Sequence, residues 1–132
     1  PLLHVRARLV DAGFREADAS EMAFSAAADR AVRAALDAAQ ATLLEPIMKV
    51  EVYVPEEFLG GIIHDLNGRR AEVHQVEARN NLMIVHAKAP LAGLFGYATA
   101  TRSLSQGRAT YSMEPCAYAP VPMQKAKQIL GI

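Results

Sequence analysis

Cysteine is almost absent. Cys116 stands alone in 132 residues, so no disulfide can form within the chain and a cysteine-rich zinc site is excluded. Net charge is missing too, because 14 Lys and Arg balance 14 Asp and Glu. A protein that holds nucleic acid by bulk electrostatics is strongly basic, so any RNA contact here has to come from a local patch. No run of about 18 apolar residues occurs, and the first residues do not have the layout of a signal peptide. A soluble protein with no membrane partner is expected, and the single cysteine fits a reducing, cytoplasmic setting. The hydrophobic content of 52% is enough for a packed core.

Signatures of chemistry are also lacking. There is no G-x-x-x-x-G-K-[ST] loop to cradle phosphates; Gly60-Gly61 lies in an apolar helical stretch with no lysine beside it, where close helix packing explains it. His4, His64, His74 and His86 include no H-x-x-x-H or H-E-x-x-H pair. His74 and His86 could approach across neighbouring strands, which leaves a metal possibility open, although a solvated sheet face is the simpler reading. Glu56 and Glu57 form an acid pair only in the sense that both occupy a helix's first turn, where carboxylates suit the positive dipole end. Cys116 has no sequence-local base. No catalytic, cofactor-binding or metal-binding residue is expected.

The pattern of what remains describes a fold. Leu3, Val5, Ala7 and Leu9 alternate with His4, Arg6 and Arg8, which predicts a half-buried strand lacking its partner, as in a fragment. Asp11-Ala12-Gly13 reads as a turn, and Phe14 to Ala17 as a short return strand. An alanine-rich segment from Glu21 to about Ala39 predicts a long helix capped at Asp18 or Ser20. Glu45-Pro46 marks a break and the domain boundary. Beyond it the expected order is a strand over 47–54, a helix opened by Pro55-Glu56-Glu57, a strand over 71–77, a turn at Arg79-Asn80-Asn81 and a strand over 82–89. A helix within 91–104, a strand over 108–114, a connection over 115–121 and a short terminal helix complete it. That order is the α+β, ferredoxin-like βαββαβ arrangement, a four-stranded antiparallel sheet with two helices on one face. An acylphosphatase-type enzyme of this fold needs an arginine loop after the first strand, where this chain has Pro55-Glu56-Glu57. An RNA-recognition-type module needs aromatics on its central strands, where only Tyr53 qualifies.

Particular words of the sequence go further. Leu44-Glu45-Pro46-Ile47-Met48-Lys49-Val50-Glu51-Val52, Asp65-Leu66-Asn67 leading to Arg69-Arg70, Phe95-Gly96-Tyr97-Ala98-Thr99 and Arg102-Ser103-Leu104-Ser105-Gln106-Gly107-Arg108-Ala109-Thr110 resemble the last domain of elongation factor G. Upstream, Ser20-Glu21-Met22-Ala23-Phe24 resembles the helix that closes that family's penultimate domain. The resemblance covers nearly the whole chain. It implies that residues 1–45 are the end of domain IV, a strand–helix remnant of a ribosomal protein S5 domain 2-like fold. It equally implies that residues 46–132 are domain V, ferredoxin-like with a short terminal helix.

By the same resemblance the chain serves ribosome docking and inter-domain coupling in a factor for GTP-dependent translocation. Large-subunit RNA near the sarcin–ricin loop and stalk base, and the upstream domains of the parent, would be its partners. It would not itself be an enzyme: GTP and magnesium belong to a parent domain outside it, and the chain needs no cofactor. Arg69, Arg70, Arg102, Gln106 and Arg108 match the family and are the expected RNA-binding residues. A stand-alone ferredoxin-like RNA-binding or regulatory module, or the same region of a ribosomal protection protein, are the alternatives. Ala71 departs from the family, which usually has glycine after the arginine pair, and an altered turn into the second strand is expected there.

Overall fold

Strands need partners and helices need a face to bury, and the two halves of this chain meet those needs very differently. A computed structural model describes residues 1–132, which form two compact units, Pro1–Ala41 and Thr42–Ile132.

In the first unit the one regular element is α1 (Glu21–Ala38), capped by Ser20, whose hydroxyl accepts a hydrogen bond from the Ala23 amide at 3.1 Å. An Asp29–Arg33 pair one turn apart, at 2.9 Å, supports its exposed surface. The strand expected from Leu3 to Leu9 does not form, and neither does the return strand at Phe14 to Ala17, which is coil running into a turn at residues 16–18. The physical reason is plain: a strand's amides and carbonyls require a ladder, and no other segment of the chain pairs with these residues. No residue of α1 is buried, so its apolar stripe, Phe24 and Val32 included, faces solvent. Phe14 does meet Phe24 edge to face, ring centroids 6.1 Å apart.

The second unit holds β1 (Leu44–Val54), α2 (Leu59–Gly68), β2 (Glu72–Arg79), β3 (Leu82–Pro90), α3 (Tyr97–Leu104), β4 (Thr110–Pro120) and α4 (Met123–Leu130). Short 3-10 turns at Glu56–Phe58 and Leu91–Gly93 lead toward α2 and α3. The strands make one antiparallel sheet in the order β2-β3-β1-β4, the ferredoxin-like arrangement. Side chains alternate across it. Val50, Val52 and Val54 of β1 and Val85, Ala87 and Ala89 of β3 pack with Ile62, Leu66, Leu94 and Tyr97 in one buried cluster on the helix side. Lys49, Glu51, Tyr53 and His86 point to the other, open face.

Proline placement accounts for two differences from the sequence reading. β1 runs straight through Glu45-Pro46 and starts at Leu44. Its ladder with β3 begins only at Ile47, while Pro46 lies opposite Tyr118 of β4, so on the β3 side Pro46 has no ladder amide to lose. β4 likewise continues to Pro120, through what was expected to be a connection. Ala117 faces Ile47 and Pro115 faces Met48, which leaves Cys116 as the extra residue of a bulge. An edge strand with a bulge is where prolines are tolerated. The β2–β3 hairpin turns on Asn80 and Asn81, both with positive φ (49 and 66), a geometry that matches the twist of the strands it joins.

A core confined to the second unit has a measurable consequence. Leu66→Ala, at a fully buried position, should lower the unfolding free energy in urea by about 3 kcal/mol. Val32→Ala on the uncovered stripe of α1 should change it by less than about 0.5 kcal/mol.

Candidate nucleic-acid interface

Five side chains were expected to reach RNA, and their geometry separates them into two groups. Arg69 and Arg70 follow α2 and are drawn into the fold. Arg69 Nε donates to Asp65 Oδ2 at 2.8 Å, and its Nη1 donates to the carbonyls of Gly93 and Phe95, both at 2.9 Å. Its guanidinium carbon lies 5.2 Å from the centroid of the Tyr97 ring, close enough for cation–π attraction. The main chains approach equally closely, since a Cβ on Gly93 would come within 2.4 Å of the Arg69 carbonyl oxygen. Only glycine fits there.

Arg70 turns the other way. With φ at 62 it occupies the left-handed region, and its two terminal nitrogens fork onto the carboxylate of Glu45, each at 2.9 Å. Glu45 is 8% exposed, so this pair is largely desolvated and ties the end of α2 to the start of β1. Arg70 Nε is buried without a partner. Because the left-handed residue is Arg70, Ala71 needs no glycine-like backbone; its amide donates to the Leu66 carbonyl at 3.0 Å, closing the helix end. Alanine at 71 is thus compatible with the turn this chain makes.

Arg102, Gln106 and Arg108 stay outside. The Arg102 side chain is exposed and has no partner within the chain. Gln106 and Gly107, with φ of 52 and 78, form the turn after α3, where the Gly107 amide donates to the Arg102 carbonyl at 2.8 Å. Buried Ser105 holds that turn: its hydroxyl donates to the Thr101 carbonyl at 2.6 Å and accepts from the Ala109 amide at 3.0 Å. Arg108 is half-exposed, paired with Glu57, and its guanidinium carbon lies 5.6 Å from the Phe58 ring centroid. Such an exposed pair contributes little to stability, which leaves the guanidinium free to exchange partners.

The open face of the sheet mixes charges of both signs and offers phosphate no single-sign patch. Glu51 accepts from the Tyr53 hydroxyl at 3.1 Å and lies 3.4 Å from Lys49 Nζ. That hydroxyl first, and then Lys49, hold the Glu51 carboxyl below its ordinary range. The same contact pushes the Tyr53 phenol up. His86 lies between Glu51 (3.5 Å) and Glu77 (3.4 Å), and Arg79 reaches Glu77 at 3.2 Å. Tyr53, the one aromatic considered for stacking, is therefore held among carboxylates. His74 is the residue left over where the β2–β3 register shifts, and no group of three or more His, Cys, Asp or Glu is placed to hold a metal ion.

The sequence carries one further charge feature: no Asp or Glu occurs between Glu77 and Glu114. That acid-free run includes all of α3.

Residues 42–129 match the family described as Elongation factor G C-terminus. The chain belongs to the elongation factor G family, in its C-terminal part. Elongation factor G of Thermotoga maritima is 50% identical over 132 residues, covering 100% of this chain and 19% of that protein. The Fervidobacterium nodosum protein of that name is 49% identical over 130 residues, covering 98% and 19%. The chain thus spans about one fifth of the length of these relatives. A crystal structure from Thermus thermophilus superimposes with a TM-score of 0.65 at 37% identity, covering 67% of this chain and 14% of that one.

The buried arginine pairings predict an ordered set of stabilities. Glu45→Ala leaves Arg70 unpaired and should lower unfolding free energy by about 2 kcal/mol, less than for a fully buried pair because Arg70 retains some solvent. Arg70→Gly should be less damaging than Arg70→Ala by about 1 kcal/mol, since glycine takes the left-handed backbone without strain; equal losses in urea titrations would refute that strain.

Tyr97 offers a pH test. Burial pushes its phenol up, opposed by the Thr101 hydroxyl, and neither hydroxyl completes a hydrogen bond of ordinary geometry. A folded-state value above the unfolded one leaves stability intact below about pH 10 and erodes it as pH rises through the folded value. Tyr97→Phe should be neutral or stabilising at pH 7. It should also lose less stability than the parent chain between about pH 10 and 11, read by urea unfolding at each pH.

Proposed function

We propose that this chain is the C-terminal part of a translation elongation factor, and that it docks on large-subunit ribosomal RNA near the sarcin–ricin loop and stalk base. Its second role is to transmit the parent's GTPase cycle between domains, in the cytoplasm. Identity of 50% with Elongation factor G along the entire chain carries this reading. GTP and magnesium belong to the parent outside these residues: the sequence offers no phosphate-cradling loop followed by lysine, and no step of hydrolysis is assigned to it. The chain acts by binding, not by making or breaking bonds.

The geometry supports one division of labour. Arg69 and Arg70 hold α2 against the loop before α3 and against β1, so they shape the surface without offering free donors. Arg102, Gln106 and Arg108 are exposed along one end of α3 and its closing turn. Forked guanidinium donors suit phosphate oxygens; Arg102 has no carboxylate partner, whereas Arg108 has to exchange Glu57 for phosphate. On the open sheet face Lys49 and Arg79 are paired with Glu51 and Glu77, which makes that side a poorer match for phosphate.

The test is a salt series with the purified chain and an RNA carrying sarcin–ricin and stalk-base elements. Saturable binding is expected. Changing Arg102 and Arg108 together to alanine should weaken it and reduce the salt slope by roughly two phosphate contacts. Arg70→Ala should lower stability more than affinity. Binding no better than that of an unrelated hairpin would overturn RNA docking by this chain.

A further inference from the structure

Asn67-Gly68 closes α2 and stands directly before Arg69 and Arg70. The chain has three asparagines, Asn67, Asn80 and Asn81, and only Asn67 is followed by glycine. Both residues of the pair are exposed, and the Asn67 side chain has no partner within the chain. A Cβ built on Gly68 would meet nothing within 4 Å, so no neighbour shields the main chain there.

An asparagine amide carbon is an electrophile, and the main-chain nitrogen of the next residue can reach it to close a five-membered ring. Glycine makes this approach easiest, having no side chain and the widest choice of backbone angles. At this pair the deprotonated Gly68 nitrogen bonds to Asn67 Cγ and ammonia leaves, giving a cyclic imide. One water then opens either carbonyl of the ring. One opening leaves aspartate; the other leaves an isoaspartyl link, in which the main chain runs through the side-chain carbons. Water enters, ammonia departs, and nothing is oxidised or reduced.

The helix opposes this chemistry, because a helical side chain leans toward the N-terminus, away from the following amide. Gly68 is the last residue of α2, however, where helices fray, and glycine is a poor helix former. What keeps the end closed comes just after it. The Arg69 and Ala71 amides donate to the Leu66 carbonyl, both at 3.0 Å, and the Arg70 amide to that of Asn67 at 3.3 Å. The Arg70 side chain is in turn fastened to Glu45. To free the Asn67–Gly68 bond for cyclisation, these contacts have to release together. Once formed, an isoaspartyl link lengthens the main chain immediately ahead of both arginines, so they cannot reseat as before.

We propose that Asn67-Gly68 is a site of spontaneous deamidation whose rate is held down by the Arg70–Glu45 pair. The test is incubation of the chain in mildly alkaline buffer, with deamidation located by peptide mass mapping and isoaspartate counted with an isoaspartyl methyltransferase. A urea-unfolded sample sets the rate that the chemistry alone allows. Asn67 should convert before Asn80 or Asn81 in the folded chain, more slowly than in the unfolded one. Gly68→Ala, which the open space admits without a clash, should slow conversion about tenfold. Glu45→Ala should speed it toward the unfolded rate. Val52→Ala, a change in the buried core away from the pair, should speed it far less, which separates local opening from global unfolding. Asn67 that stays intact in the folded chain while the unfolded sample converts overturns the site, as does an undiminished rate in Gly68→Ala. Equal acceleration by Val52→Ala and Glu45→Ala overturns the gating by Arg70.

Discussion

Two consecutive arginines at the end of α2 set the geometry of everything that faces outward. A guanidinium taken from water is tolerated only where its donors find acceptors, and Arg69 and Arg70 find theirs in opposite directions. Arg69 reaches forward to the carbonyls of Gly93 and Phe95 and lies over Tyr97, which fixes where α3 begins. Arg70, through its left-handed backbone, reaches back to Glu45 and fixes where β1 begins. A lysine offers neither the fork nor the flat stacking surface. The exposed face of α3 is thus held in place by side chains that do not themselves appear on it.

The fold of the second unit was largely readable because its strands are built on alternation: Val50, Val52 and Val54 on one side, Lys49, Glu51 and Tyr53 on the other. Failures came where a local signal depended on something distant. Leu3 to Leu9 carries a strand's pattern, yet a pattern supplies no ladder, and this chain holds no partner for it. Pro46 and Pro115 read as breaks because proline removes a donor. Whether that donor is needed depends on edge position and register, which no short window reveals.

The arginines show the same limit for the site. Arg69, Arg70, Arg102 and Arg108 look equivalent in sequence. What distinguishes them is the company each keeps in space: Arg70 meets Glu45, 25 residues away, and Arg108 meets Glu57, 51 residues away. Arg102 meets nothing. The absence of carboxylates between Glu77 and Glu114 is legible without knowledge of partners, but it does not show that Arg108 meets Glu57 from outside that run.

A zero net charge therefore conceals a division between faces. Glu51 and Glu77 gather on the open sheet face with Lys49, Arg79 and His86 among them, a mixture whose fields largely cancel within a few ångströms. Across the sheet, α3 presents arginine without opposing acid. Domains that must settle on a polyanion in one orientation gain from this separation, since a uniformly basic surface attracts phosphate from every side and specifies none. Glu51 and Glu77 lie on the open sheet face, while exposed Arg102 stands on α3, where Arg69 braces the loop of Phe95.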